Sequence, residues 1–184
     1  NFSAAVDALV DVWRNMHASH IYRADPAGIG LSGVRWLSAL TLGWLLHNPP
    51  RSLLDNSPLR ELLSRNLDFS GIERSISNGA LHAVSITASG YESGESISFY
   101  QAHPSAHPWR RVHRIGLHSP IGVDHLLASS AIPFVFPATK IHREYFGDGS
   151  MRQLAPISPA IHLGATKVMI IGAGRTTESR ERSA

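Results

Sequence analysis

The chain has 184 residues, of which 43% are hydrophobic and 17% are charged, with a formal net charge of +3. This composition is typical of one folded domain with a sizeable core, and it excludes a disordered chain. The absence of cysteine excludes a disulfide framework, a cysteine-ligated zinc site and a thiol nucleophile. No apolar run reaches the roughly 18 residues that a membrane-spanning helix needs, and no secretory signal peptide is visible. These absences favour a cytoplasmic or peripheral-membrane location without fixing it.

Helical patterns dominate the first 80 residues. Residues 3–19 carry apolar side chains at helical spacing, and residues 57–65 and 69–77 predict two shorter helices. Residues 26–30 contain Gly-x-Gly without the preceding strand, third glycine or lysine of a phosphate-binding loop, so we interpret them as an ordinary loop. Residues 34–46 predict a helix that is apolar on most of its faces. Burial in a core or a subunit contact is the favoured explanation for this helix, with a lipid-facing surface as the alternative.

The second half of the chain alternates strands with helices. Residues 81–89 and 96–101 are rich in β-forming side chains and predict two strands that pair as a hairpin or lie as neighbours. Residues 102–120, rich in His, Pro and Arg, are expected to be irregular. The remaining elements predicted are a helix at 121–131, a short helix at 156–163, a buried strand at 167–171 and a frayed polar tail at 175–184. We therefore predict one α/β domain over residues 1–174, with helices on both faces of a sheet.

The histidines offer no strong metal-binding pattern. His103 and His107 lie four residues apart, but Pro104 and Pro108 disfavour the helix that would place them on one face. No glutamate accompanies the pair, so we predict no metal site and no bound cofactor. The basic run at 110–114 suits phosphate headgroups, but a solvated loop is the favoured interpretation.

One carboxylate stands in an unusual setting. Asp148 lies between Gly147 and Gly149 and is followed by Ser150. Glycines on both sides allow the backbone to turn sharply and to approach a neighbour closely, so the carboxylate can be aimed at a reacting group. On these residues alone an ordinary turn is the simpler explanation, because Asp beside Gly is a common turn signal. We take Asp148 as the candidate catalytic residue and the other three as its supporting turn.

The surrounding sequence adds four further pieces in order. These are Ala-Ser-Ser-Ala-Ile-Pro at 128–133, Phe-Pro at 136–137, Ala-Pro at 155–156 and Gly-Ala at 164–165. Together with the Asp148 turn they resemble the C-terminal half of the patatin-like phospholipases, which are serine lipid acyl hydrolases. The resemblance covers residues 121–172 well and the first 120 residues only in general pattern. Ser150 stands where the family usually has glycine or alanine.

The resemblance implies a three-layer α/β fold and a Ser–Asp dyad. The family's serine lies upstream of the aspartate on a Gly-x-Ser-x-Gly elbow, which follows a glycine-rich oxyanion loop. Neither motif is present here: Ser32 lacks a glycine two residues later, and Ser93 and Ser150 also fail the pattern. We therefore expect the chain to begin downstream of its nucleophile. It would then supply only Asp148, have an incomplete sheet and be inactive by itself.

The function expected from this resemblance is lipid acyl hydrolysis through an acyl-serine intermediate. The expected partner is a lipid or ester substrate, and peripheral contact with a membrane is compatible with it. No nucleic acid is expected as a partner, and the oligomeric state is left open. The alternative is a non-catalytic lipid-binding or protein-interaction module of the same architecture. A histidine-based metal protein ranks third.

Overall fold

The computed structural model describes residues 2–23, Gly30, Val34, residues 52–153 and residues 156–172. Apart from Gly30 and Val34, the loop predicted at 26–30 and the apolar helix predicted at 34–46 lie outside these residues. The tail predicted at 175–184 lies outside them as well.

Six strands form one mixed sheet in the order β3-β4-β2-β1-β6-β5. The strands are β1 Ala83–Gly90, β2 Ser96–Ala102, β3 Trp109–Arg111, β4 Arg114–His118, β5 Thr139–Ile141 and β6 Glu144–Asp148. β1 and β2 pair antiparallel from Ala83 opposite Ala102 to Ser89 opposite Ser96, so the two predicted strands form a hairpin, the first of the two alternatives that the sequence left open. β2 and β4 are parallel, and every other neighbouring pair in the sheet is antiparallel.

The helices of the described residues lie before the sheet, within the connection from β4 to β5 and after the last strand. They are α1 Phe2–Arg14, α2 Ser57–Asn66, α3 Ser70–Ser77, α4 Val123–Ser129 and α5 Ser158–His162, with short 3₁₀ turns at Ala18–His20 and Gly149–Met151. The helix predicted over 3–19 ends earlier, at Arg14, and the other predicted helices within the described residues lie close to their expected positions. The predicted α/β class is therefore confirmed.

Helices cover both faces of the sheet because successive side chains of a strand point to opposite faces. On one face, Phe99 of β2 packs edge-on against Phe146 of β6, with ring centroids 5.2 Å apart. On the same face it also contacts the ring of His125 from α4. On the other face, Tyr100 stacks on Trp109, and Trp109 stacks on His162 of α5 at 4.9 Å. The two packed faces give the three layers predicted from the sequence.

The prediction that residues 102–120 are irregular was wrong, because they contain the β3–β4 hairpin. Its tight turn includes His113 in the left-handed backbone region, with φ of 57°. The Trp109 ring covers Gly116 of β4 so closely that a Cβ at Gly116 would lie 2.2 Å from it. The two strands of the hairpin therefore pack through the Trp109 ring against Gly116. The composition of this segment does not predict that contact.

The buried strand predicted at 167–171 was also wrong. These residues form no strand in the part of the chain described, and Met169, Ile170 and Ile171 are 72–86% exposed. An apolar run becomes a strand only where a neighbouring strand supplies hydrogen-bond partners. Conversely, β5 and β6 form a short hairpin that ends at Asp148 and that the sequence pattern did not reveal.

Candidate active site around Asp148

Asp148 is the last residue of β6, and its backbone is fixed on two sides. Its N–H donates to the carbonyl oxygen of Ala131 at 2.9 Å. Its own carbonyl oxygen accepts a hydrogen bond of 2.8 Å from the Ser89 hydroxyl, which is fully buried. In the β1–β6 ladder Asp148 lies opposite Ala88. The connection after α4 and the end of β1 therefore jointly determine where the Asp148 side chain begins.

Asp148 is a partly buried residue, and one of its carboxylate oxygens accepts a hydrogen bond. Oδ1 accepts the backbone N–H of Ser150 at 2.8 Å and so caps the 3₁₀ turn Gly149–Met151. Within the described residues, no cation pairs with this carboxylate and no side-chain hydroxyl donates to it. One oxygen therefore fixes the orientation of the carboxylate and the other can accept a proton or a hydrogen bond.

Close packing against backbone requires a glycine at position 149, and a side chain also approaches Gly147 closely. A Cβ on Gly149 would lie 2.2 Å from the carbonyl oxygen of Thr87 in β1. A Cβ on Gly147 would lie 2.2 Å from the Tyr91 hydroxyl and 3.3 Å from the Ala131 carbonyl oxygen. The two 2.2 Å distances are shorter than any ordinary contact, but the Thr87 carbonyl is backbone and cannot rotate away, whereas the Tyr91 hydroxyl is the end of a side chain that can move. The Gly-Asp-Gly sequence thus lets this turn press against β1 on one side and against Tyr91 on the other.

The Tyr91 side chain lies against Gly147 of this turn, and the sequence did not single it out. Its backbone N–H donates to the Tyr145 carbonyl oxygen at 3.0 Å. Partial burial raises the pKa of the Tyr91 phenol, and the negative charge of Asp148 raises it further. Tyr91 and Tyr145 line an open groove of about 500 Å³ together with Glu92, Pro137 and Ala138. An aromatic residue just after a strand does not by itself predict a functional site. Tyr91 comes close to Gly147 only through the pairing of β1 with β6.

A buried serine–histidine contact lies elsewhere, between Ser119 and His125 of α4. The Ser119 hydroxyl and His125 Nε2 are 3.5 Å apart, while Nδ1 accepts the Gly122 N–H at 3.1 Å. Because Nδ1 is the acceptor, a neutral His125 carries its proton on Nε2 and cannot take one from Ser119. Burial lowers the pKa of His125. This pair therefore lacks the arrangement of a nucleophile with its general base.

Two further histidines, His82 and His103, contact each other. His103 stacks on His82 with ring centroids 5.7 Å apart, and its Nδ1 contacts the Ser105 hydroxyl at 2.9 Å. Among residues 2–23, 52–153 and 156–172, no three metal-ligating side chains come together. The basic run at 110–114 belongs to the β3–β4 hairpin, where Arg110 pairs with Glu95 at 3.3 Å.

None of the helices in the described residues is long and apolar enough to cross a membrane.

A search of curated proteins found no match to the chain, and a search of solved structures found none either. A family model described as Patatin-like phospholipase matches residues 1–161. This match includes the α1 region as well as the Asp148 turn, so it extends far upstream of the segment that carried the resemblance in the sequence. The chain belongs to the patatin-like phospholipase family.

Proposed function

We propose that the protein is a lipid acyl hydrolase that works through a Ser–Asp dyad, and that these 184 residues contribute its aspartate, Asp148. Membership of the patatin-like family indicates an ester hydrolase with lipid or ester substrates. The observation that carries the assignment is the anchoring of Oδ1 by the Ser150 N–H, with no partner on the second oxygen among the described residues. Gly147, Gly149 and Ser150 support this arrangement as the turn.

In this mechanism the free carboxylate oxygen of Asp148 accepts the proton of a serine hydroxyl. The serine oxygen forms a bond to the ester carbonyl carbon, and the resulting oxyanion collapses with expulsion of the alcohol, which takes up the proton. Water then attacks the acyl-serine ester, Asp148 accepts a proton from that water, and the serine is released with its hydrogen restored. The step requires the two oxygens to lie within hydrogen-bond reach, about 3 Å.

The described serines near Asp148 have other contacts. The Ser89 hydroxyl donates to the backbone carbonyl of Asp148, and Ser150 contacts the carboxylate through its N–H. The dyad serine is therefore proposed to lie outside the described residues. His125 carries its proton on Nε2, the nitrogen that faces Ser119, and so cannot act as the base for that serine. Asp148 is therefore the better proton acceptor for this reaction.

The decisive experiment compares Asp148→Asn with the wild-type natural gene product, expressed from its own start codon. Asparagine keeps the acceptor for the Ser150 N–H but cannot take up a proton. We expect hydrolysis of a short-chain nitrophenyl ester to fall by about 10²- to 10⁴-fold, with unchanged circular dichroism and melting temperature. The matched control is Asp124→Asn, which changes an exposed aspartate that pairs with Arg60; its turnover should equal that of the wild type.

Retained turnover in Asp148→Asn would refute the dyad. The 184-residue chain alone should show no turnover, since it lacks the elbow motif; turnover by this chain would show that the nucleophile lies within it. If the natural gene product binds lipid vesicles but hydrolyses no ester, the alternative of a non-catalytic lipid-binding module replaces the enzyme.

A further inference from the structure

The turn between β1 and β2, residues 91–95, lies beside the strand that ends at Asp148. β6 pairs with β1 over three residues only, from Phe146 to Asp148. The first two residues of β6 therefore extend past the end of β1 and run alongside this turn. The Tyr91 N–H continues the contact by donating to the Tyr145 carbonyl oxygen at 3.0 Å. The β1–β2 turn thus takes over from β1 as the neighbour of β6.

Glu144, the first residue of β6, binds the β1–β2 turn through its carboxylate. Oε1 accepts the Ser93 N–H at 2.7 Å and the Glu92 N–H at 3.1 Å. Gly90 leaves room for this carboxylate, since a Cβ at Gly90 would lie 2.4 Å from Oε1. Hydrogen bonds to a charged acceptor are stronger than those between neutral groups. One side chain of β6 therefore holds two backbone groups of the turn.

Arg152 holds the same turn from the other side of Asp148. Its Nη1 donates to the Gly94 carbonyl oxygen at 2.8 Å. Gly94 has φ of 71°, a left-handed conformation that glycine adopts without steric cost. Glu144 lies four residues before Asp148 in the chain, and Arg152 lies four residues after it. The β1–β2 turn is therefore hydrogen-bonded to the chain on both sides of Asp148.

A third contact joins this turn to the residue directly before Asp148. The Tyr91 hydroxyl lies so close to Gly147 that a Cβ there would be 2.2 Å from it. The Asp148 N–H is itself bound to the Ala131 carbonyl oxygen at 2.9 Å. The backbone that carries the candidate catalytic carboxylate is thus in contact with the β1–β2 turn before, at and after the Gly-Asp-Gly sequence.

We propose that Glu144 and Arg152 are positioning residues for Asp148. By holding the β1–β2 turn, they set where the second carboxylate oxygen of Asp148 lies relative to the serine hydroxyl. This role rests on the proposed Ser–Asp dyad. Proton transfer within the dyad requires the two oxygens to lie about 3 Å apart, and a displacement of about 1 Å lowers the rate about 10²-fold. Contacts that never touch the substrate can therefore control kcat.

The test compares Glu144→Ala with Glu144→Gln in the natural gene product. For a short-chain nitrophenyl ester we expect kcat of Glu144→Ala to fall about 10- to 100-fold with KM within about two-fold, because proton transfer is misaligned while ester binding is unchanged. Glutamine keeps an oxygen acceptor for both N–H groups, so its kcat should stay within about three-fold of the wild type. Hydrogen–deuterium exchange at Glu92 and Ser93 should be faster in Glu144→Ala than in the other two proteins.

Arg152 supplies a second pair of variants. Arg152→Ala should show the same loss of kcat, and Arg152→Lys should restore it because lysine keeps an N–H donor for the Gly94 carbonyl oxygen. The matched control is Asp68→Ala. Asp68 also accepts a backbone N–H, from Ser70 at 3.0 Å, and pairs with Arg74, but it lies at the start of α3. Its kcat should equal that of the wild type at a temperature where circular dichroism shows every variant folded.

Four results would overturn the positioning role. The first is a wild-type kcat in Glu144→Ala, and the second is a raised KM with unchanged kcat, which would mean that Glu144 contacts the substrate. The third is a Glu144→Gln protein as slow as Glu144→Ala, since charge and not the hydrogen-bonded turn would then matter. The fourth is an equal loss in Asp68→Ala, which would assign the effect to general destabilisation. If Glu144→Ala does not fold, the Arg152 pair decides by the same criteria.

The dyad itself is tested separately, by the turnover of Asp148→Asn. An inactive Asp148→Asn protein together with wild-type kcat in Glu144→Ala and Arg152→Ala would refute the positioning role and leave the dyad standing. Full turnover by Asp148→Asn would refute the dyad, and the positioning role with it, whatever the Glu144 variants do.

Discussion

Gly149→Ala is a sharp test of the packing that holds the Asp148 turn. The added Cβ would lie 2.2 Å from the Thr87 carbonyl oxygen, 2.8 Å from the Thr87 carbonyl carbon and 3.4 Å from the Ala88 nitrogen. All three are backbone atoms of β1, so no side-chain rotation removes the clash. Relief requires β6 to move away from β1, and Asp148 lies opposite Ala88 in that ladder.

The expected cost is that of an overpacked core, about 1–3 kcal/mol in the free energy of unfolding. For a chain of this size that range lowers the melting temperature by roughly 2–12 °C. The matched control is Gly71→Ala in α3, where the nearest atom to the new Cβ is the flexible Arg74 guanidinium at 3.7 Å. Because alanine favours a helix over glycine, this control should raise stability by about 0.5–1 kcal/mol.

Urea unfolding followed by circular dichroism measures both free energies, and thermal melts supply the temperatures. If Gly149→Ala proves as stable as the wild type, the turn does not pack against Thr87 as described. The need for a glycine after Asp148 would then have to come from another source. If Gly71→Ala is destabilised as strongly as Gly149→Ala, the loss belongs to glycine replacement in general and the argument from the β1 contact fails.

Two further predictions concern residues outside this turn. Burial lowers the pKa of His125 below its ordinary 6.5, so the unfolded chain binds more protons and the free energy of unfolding should decrease as pH falls through and below 6.5. His125→Asn keeps an acceptor for the Gly122 N–H and should flatten this decrease in urea unfolding curves; an unchanged slope would assign it to other groups. Met169→Ser with Ile171→Ser should reduce aggregation in light scattering and change stability by less than about 0.5 kcal/mol, because both side chains are exposed. A large loss of stability would show that this run is packed.

Several features of the fold and of the candidate site follow from residues that lie close together in the sequence. The β1–β2 hairpin follows from two β-rich runs separated by a short turn, and its pairing is confirmed. The ordered motifs around Asp148 identified the family, which the match over residues 1–161 confirms. The sequence also identified Asp148 as the candidate catalytic residue, because the two glycines that flank it are its neighbours in the chain. Its catalytic role stays a prediction.

Only the tertiary structure determined which residues that are distant in the sequence come into contact. The clash that excludes a side chain at Gly149 comes from Thr87, and the ring over Gly147 comes from Tyr91, each more than 50 residues away in the chain. The apolar run at 167–171 is exposed because the described residues provide no strand to pair with it, although its composition suits burial. The left-handed backbone of Phe134 is likewise held by a hydrogen bond from the distant Leu53, and Leu54 donates to the next residue, Val135. Long-range contacts override local preference in each case, since pairing and steric exclusion depend on which segments meet.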